Sequence, residues 1–208
     1  SQTNLTAIGK NALGVATSGN HNTAVGTNRL QTVDGTQNTA LGSLALNADC
    51  EDDNTAVGYN ALKVFTGSDA TVVGSGAVAA ASDADNVTAI GRSALAVVTG
   101  SYNTAVGHDA GKTITSGADN TAVGSAALDG ATTGALRNTA VGQSSLSGAA
   151  VADNTAIGDK ALYVFAGSNA TAVGSGALDA ATTASDLTAV GKNALGVLSH
   201  ADSAQNTA

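Results

Sequence analysis

Residues 54–62 read Asn-Thr-Ala-Val-Gly-Tyr-Asn-Ala-Leu, and the Thr-Ala-Val-Gly part of this stretch recurs along the whole chain. Successive copies are 16 to 18 residues apart. A fixed period of this kind predicts a solenoid, in which each repeat buries its apolar side only against its neighbours. We therefore expect one repeat domain over residues 1–208, of about twelve coils. The motif glycines are Gly9, Gly26, Gly42, Gly58, Gly74, Gly91, Gly107, Gly124, Gly142, Gly158, Gly174 and Gly191.

The residues before each glycine alternate as in a β-strand. Threonine stands three positions before the glycine in all twelve copies, alanine two before it in all but Val72, and Val or Ile one before it in all but Leu41. A two-residue alternation predicts a strand with Thr and Val on one side and Ala on the other. We expect parallel strands in which like residues stack, the Val/Ile column in the dry interior, and the Ala column facing neighbouring chains. The Val/Ile column includes Val57, Val106 and Val123.

A second apolar pair follows each glycine. Alanine lies three positions after it and leucine four after it in most copies, and in several copies a valine follows two further on. Leu-x-Val alternation predicts a second strand in each coil, with the leucines in the interior and a longer polar turn after it. The leucines include Leu13, Leu62, Leu95, Leu128 and Leu195, and the valines are Val15, Val64, Val97, Val164 and Val197.

Asparagine precedes the threonine in seven copies. Asparagine is favoured in turns because it bonds to nearby backbone and tolerates left-handed conformations, and stacked asparagines can also bond along a ladder. An α-helix is disfavoured, because Gly, Thr and Asn interrupt every segment and no copy sustains a helical apolar period. The seven are Asn22, Asn38, Asn54, Asn103, Asn120, Asn138 and Asn154.

The composition limits the core and the partners. Aromatic residues make up 2% of the chain, so small aliphatic residues must fill a thin interior, and oligomerisation is the usual remedy for so little core. The net charge of −8 argues against nucleic-acid binding. No apolar run is long enough to insert into a membrane. Cys50 is the only cysteine, so we expect a free thiol and no internal disulfide.

A longer repeat lies over the short one. Residues 54–100 align without gaps on residues 154–200, with 26 of 47 positions identical. Both segments contain Val-Phe, at residues 64–65 and 164–165. This indicates that a block of six coils was duplicated.

Catalytic, cofactor-binding and metal-binding residues are not indicated. His21, His108 and His200 are separated by several coils, so they cannot share a metal within one chain. The segment Gly74-Ser75-Gly76 lacks the spacing of a phosphate-binding loop. The acidic turns favour a solvated surface, and they contain Asp49, Glu51, Asp52, Asp53, Asp83, Asp85, Asp153 and Asp186. We therefore expect a protein that is not an enzyme.

The repeat, as written in residues 54–62, resembles the head repeats of YadA-like trimeric autotransporter adhesins, and it is similar to repeats in phage tail-fibre proteins. The resemblance implies a left-handed parallel β-roll assembled as a homotrimer. It also implies an extracellular location, on a bacterial cell surface or a phage virion. The implied role is attachment to a host surface through a protein or glycan receptor. The period here is longer than the usual 14 residues of that family, and Thr replaces its first Val. Because the chain begins and ends within a repeat, we expect a segment of a longer fibrous protein.

One alternative function uses the threonine column. Twelve stacked threonines on a flat sheet suggest an ice-binding solenoid, which requires that column to be exposed. The pairing with Val favours the interior for that side of the strand and so counts against this alternative. A left-handed β-helix acyltransferase would need a six-residue period, which this chain lacks.

Overall fold

In the part of the chain that the structure describes, twelve short parallel strands, one in each copy of the motif, form a single sheet in chain order. The computed structural model describes residues 3–14, 19–28, 34–130, 134–182 and 185–196. The predicted all-β parallel solenoid is confirmed. The strands are β1 (Thr6–Ile8), β2 (Thr23–Val25), β3 (Thr39–Leu41), β4 (Thr55–Val57), β5 (Thr71–Val73), β6 (Thr88–Ile90), β7 (Thr104–Val106), β8 (Thr121–Val123), β9 (Thr139–Val141), β10 (Thr155–Ile157), β11 (Thr171–Val173) and β12 (Thr188–Val190).

The register places like residues on like residues. Between β7 and β8, Thr104 pairs with Thr121 and Val106 pairs with Val123. The N–H of the following glycine continues the ladder, since Gly124 donates to the carbonyl of Val106 at 2.8 Å. The predicted stacking of identical columns is therefore confirmed.

The predicted orientation of the strand is wrong. The middle residue of the strand is buried in eleven of the twelve strands, as at Ala105 and Ala122, and β1 is the exception. The flanking Thr and Val/Ile residues point away from the coil interior: Val106 and Val123 are half-buried and Val190 is 62% exposed. The interior is already occupied by large side chains from the rest of the coil, and a narrow space between them and the strand accepts only a small residue.

The leucine column lies inside the coil as predicted, but the strand predicted around it is not formed in the described residues. Leu62, Leu95 and Leu128 are fully buried. Their φ angles are 52°, 48° and 54°, so the chain turns at each of them where a strand would run straight. Successive coils remain bonded here, since the N–H of Leu128 donates to the carbonyl of Ser145 at 2.9 Å.

The absence of this second strand changes the position of the residues that follow. Val64 and Val164 are 45% and 43% exposed, whereas Phe65 and Phe165 beside them are fully buried. Val97 is half-buried. Val15 and Val197, which belong to the same prediction, lie outside the described residues.

The asparagines form a buried ladder, which confirms the predicted stacking. All seven are at most 1% exposed. The side-chain oxygen of Asn120 accepts the backbone N–H of Asn138 at 3.0 Å, and its amide donates to the carbonyl of Ala135 at 2.8 Å. Each asparagine thus satisfies backbone groups that are buried at the corner of the coil.

Candidate interaction face

The outward side chains of β1–β12 form one continuous surface, which we call the Thr–Val face. It consists of the threonine that begins each strand and the Val, Ile or Leu that ends it. Most of its residues are half-buried, and its most exposed aliphatic residues stand along the full length of the sheet. These are Ile8 (59%), Leu41 (48%), Val73 (38%), Ile90 (41%), Ile157 (41%) and Val190 (62%).

The chemistry of this face is uniform. Its threonines contribute methyl and hydroxyl groups, its aliphatic residues contribute hydrocarbon, and none of the twelve strands contains a charged residue. An apolar surface that continues over a whole sheet marks an interaction site in a soluble protein. The face can therefore bury against a flat apolar partner, or order water against regularly spaced methyl and hydroxyl groups.

The glycine after each strand keeps this face regular. A β-carbon on Gly107 would lie 2.6 Å from the carbonyl carbon of Gly124, because the coils approach closely at this point. Gly107 also has a φ of 141°, which glycine adopts readily. The same residue type in every coil holds the strands in one register, so the variable loop lengths do not disturb the face.

An acidic groove lies elsewhere on the solenoid, around Cys50. Its cavity has a volume of about 490 Å³, and it is lined by Asp34, Asp49, Cys50, Asp52 and Asp83 among others. The carboxylate of Asp49 accepts a hydrogen bond from the backbone N–H of Asp34 at 3.2 Å. The carboxylate of Asp52 accepts one from the backbone N–H of Thr36 at 2.6 Å. These bonds join neighbouring coils and account for Asp49 and Asp52 as turn-capping groups.

Cys50 is an inert thiol in the native coil. Its side chain is 3% exposed and forms no disulfide. Burial raises the pKa of the Cys50 thiol to about 12, so the reactive thiolate is scarce at neutral pH.

The histidines do not come together in the described residues. His21 is exposed in a corner, and His108 contacts Arg92 of the preceding coil and lies 3.6 Å from Asp109. His200 lies outside the described residues. Across the described ranges, no group of three or more His, Cys, Asp or Glu residues is arranged to hold a metal ion.

The orientation of the Thr–Val face was missed from the sequence. The available signal was the leucine column, because a coil that already carries a leucine inward has room only for alanine opposite it.

No helix that could cross a lipid bilayer occurs in the described part of the chain. Comparison with protein-family models, with curated proteins and with solved structures gives no match to this chain.

Proposed function

We propose that this chain is a non-enzymatic rod that assembles as a homotrimer through its Thr–Val faces. The observation that carries the proposal is the outward Val/Ile/Leu column, which leaves an uncharged apolar stripe over twelve strands. In a trimer, three such stripes meet around one axis and remove each other from water. A subunit whose own core consists largely of alanine and leucine gains most from this burial.

The rod would serve attachment to a host or other surface, as part of a trimeric bacterial adhesin or a phage tail fibre. The resemblance of the repeats to YadA-like heads supports this role. It also supports a left-handed roll and an extracellular location. The outer turns would then carry receptor recognition, because they vary in length and sequence from coil to coil while the strands do not.

An ice-binding solenoid is the second candidate, and the structure favours it in one respect. The threonines project from the sheet and not into the core, as an ice-binding face requires. Their hydroxyl and methyl groups would repeat at the coil spacing of about 4.8 Å. The two candidates require opposite states of the Thr–Val face. The face must be buried in a trimer and exposed to solvent in an ice-binding monomer.

Sedimentation equilibrium and thermal hysteresis on the same wild-type sample separate the two candidates. We expect a mass three times the chain mass of 19.8 kDa at low micromolar concentration, and no thermal hysteresis. A monomer that shows hysteresis would establish ice binding instead. A monomer without hysteresis would contradict both candidates.

A further inference from the structure

A second cavity lies on the turn side of the solenoid, away from the strands. It spans three consecutive coils, those that contain β8, β9 and β10, and has a volume of about 430 Å³. Small-molecule sites typically measure about 300 to 1,000 Å³. Its floor comes from the middle coil, where Ser144, Ser147 and Gly148 are small, and the coils on either side form its walls.

One wall is aromatic. Tyr163 lines the cavity and is 41% exposed, although aromatic residues are rare in this chain. The ammonium of Lys160 lies 5.8 Å from the centre of its ring and helps to fix the orientation of the ring. An exposed, oriented phenol ring offers a flat apolar surface with a polar end.

The opposite wall carries an unused acceptor. Asp129 stands two coils before Tyr163 at the same position of the repeat, which places the two about 10 Å apart along the rod. The Oδ1 atom of Asp129 is buried and has no hydrogen-bond partner among the described residues. Burial raises the pKa of the Asp129 carboxyl, and the charge of Lys112 opposes this rise. A carboxyl that lines the groove and has an oxygen without a donor favours a ligand that brings hydroxyl or N–H groups.

The floor adds further polar groups. Ser147 donates from its hydroxyl to the carbonyl of Ala126 at 2.6 Å, so its oxygen lone pairs remain for an outside donor. The Ser144 hydroxyl also lines the cavity. A flat ring surface on one side and hydroxyl acceptors on the other match the two kinds of surface of a sugar ring, its C–H face and its hydroxyl groups.

Comparison of the two duplicated segments, residues 54–100 and 154–200, distinguishes residues of the groove from residues that the fold requires. Tyr163 corresponds to Lys63, although the two residues after each, Val-Phe, are identical, with Phe165 corresponding to Phe65. Both phenylalanines are buried in the core. The duplication therefore keeps the core residue and changes the groove residue, as expected for a position that the fold does not require.

We propose that this groove is a saccharide-binding site in which a pyranose ring packs on Tyr163 and donates hydroxyl hydrogen bonds to Asp129. The inference rests on the proposed attachment function, for which it names the receptor class as a glycan. The groove uses the turn side of the coil and leaves the Thr–Val face free for assembly.

Saturation-transfer NMR with the methyl glycosides of galactose, glucose, mannose and N-acetylglucosamine tests the proposal. We expect wild-type protein to transfer saturation to at least one of them. Tyr163→Ala should weaken that binding about tenfold, the effect expected from losing one aromatic packing partner. Asp129→Asn should weaken it in the same direction. Tyr59→Ala is the matched control, because Tyr59 is also exposed, at 55%, and lies six coils away.

Two results would overturn the site: no signal from any of the four glycosides with wild-type protein, or full binding by Tyr163→Ala. Circular dichroism of each variant confirms that the fold is retained. The sedimentation mass of the same wild-type sample keeps this test separate from the proposed function. A glycoside-binding monomer contradicts the trimer and supports the groove, and a trimer that binds none of the glycosides contradicts the groove alone.

Discussion

Gly107 illustrates how a single residue determines the spacing of the coils. Its φ of 141° lies in a region that other residues rarely adopt, and its α-carbon faces the backbone of Gly124 in the next coil. The positive φ recurs after each strand and the close approach of the coils after most of them, so their contributions can be separated. Gly191 has a similar φ of 134°, yet among the described residues, which end at position 196, a β-carbon there would meet only Ala194, at 3.8 Å.

Substitution of these two glycines therefore separates strain from collision. Gly191→Ala should cost about 1 to 3 kcal/mol, the usual cost of a strained backbone conformation. Gly107→Ala should cost clearly more, because the two coils must also move apart. Chemical denaturation of both variants measures the difference. Equal losses of unfolding free energy would show that the approach of the coils contributes nothing.

Cys50 provides a test of burial at one residue. The pKa of its thiol is raised from 9.0 to about 12, so the folded protein retains this proton more tightly than the unfolded chain does. The stability that this provides is complete below about pH 9 and is lost as the pH rises toward 12. Wild-type protein should therefore lose more unfolding free energy than Cys50→Ala between these two pH values. Parallel losses in the two proteins would contradict the burial of the thiol.

Thiol labelling gives an independent measure of the same burial. Cys50 should react with a soluble disulfide reagent at pH 8 only after the protein is unfolded. The reaction rate in denaturant is the control. A native rate equal to that in denaturant would place the thiol at the surface.

At the scale of one element, the asparagine ladder joins the corners of neighbouring coils. It runs over Asn22, Asn38 and Asn54 and ends where Asn54 accepts the N–H of Ala70 at 3.0 Å. A second run begins at Asn103 and ends at Ala170. Between the two runs the column is apolar, with Ala70 and Val87 both buried, so the solenoid alternates polar and apolar stretches of interior.

Removing one asparagine from the ladder should lower the free energy of unfolding. Asn120→Ala leaves the buried N–H of Asn138 without its acceptor, at about 1 to 3 kcal/mol, and removes the amide hydrogen bonds to Ala135 and Asn103, at about 0.5 to 1.5 kcal/mol each. Asn169→Ala is the control, because Asn169 is exposed and its loss should cost only the left-handed strain of about 1 to 2 kcal/mol. Thermal unfolding of the two variants checks the order. A smaller effect for Asn120→Ala would mean that the ladder does not hold the coils together.

The strands could be predicted from the sequence, and the turns between them could not. Thr-Ala-Val alternates with a period of two and is followed by glycine, so both the position and the stacking of β8 follow from pattern alone. Leu128 is different, because a φ of 54° is uncommon for leucine and no local residue signals it. Ala-Leu therefore resembled the start of a strand, although it forms a turn that carries its leucine inward.

The groove could not be predicted from the sequence for another reason. Asp129 and Tyr163 are 34 positions apart and become neighbours on one surface only when the coils between them are stacked. An alignment of coils places both at the same position of the repeat. It does not show that the small residues of the middle coil leave a cavity between them.

At the scale of the whole molecule, the two sides of the strand have separate tasks. The Ala column completes the interior of each coil, and the Val/Ile column lies on the outer surface of the sheet. The rule that larger aliphatic residues lie inside gave the wrong orientation for Val123, because the leucines already fill the interior of the coil. In the proposed trimer the same rule would hold for the assembly of three chains.

Substitutions on the two sides of one strand should therefore act differently. Ala122 is 1% exposed, so Ala122→Leu overfills the coil and should cost about 1 to 3 kcal/mol of unfolding free energy in each chain. Val123→Lys places a charge on the Thr–Val face without altering the interior, so it should act on association. Ser125→Lys is the control for added charge, because Ser125 is exposed just beyond the strand.

The sedimentation mass of Val123→Lys tests the central claim most directly. The account predicts a folded protein, with the circular dichroism of the wild type, that sediments at the chain mass of 19.8 kDa while wild-type protein and Ser125→Lys sediment at three times that mass. A Val123→Lys protein that remains trimeric with unchanged stability would contradict the claim that this face is where the chains meet.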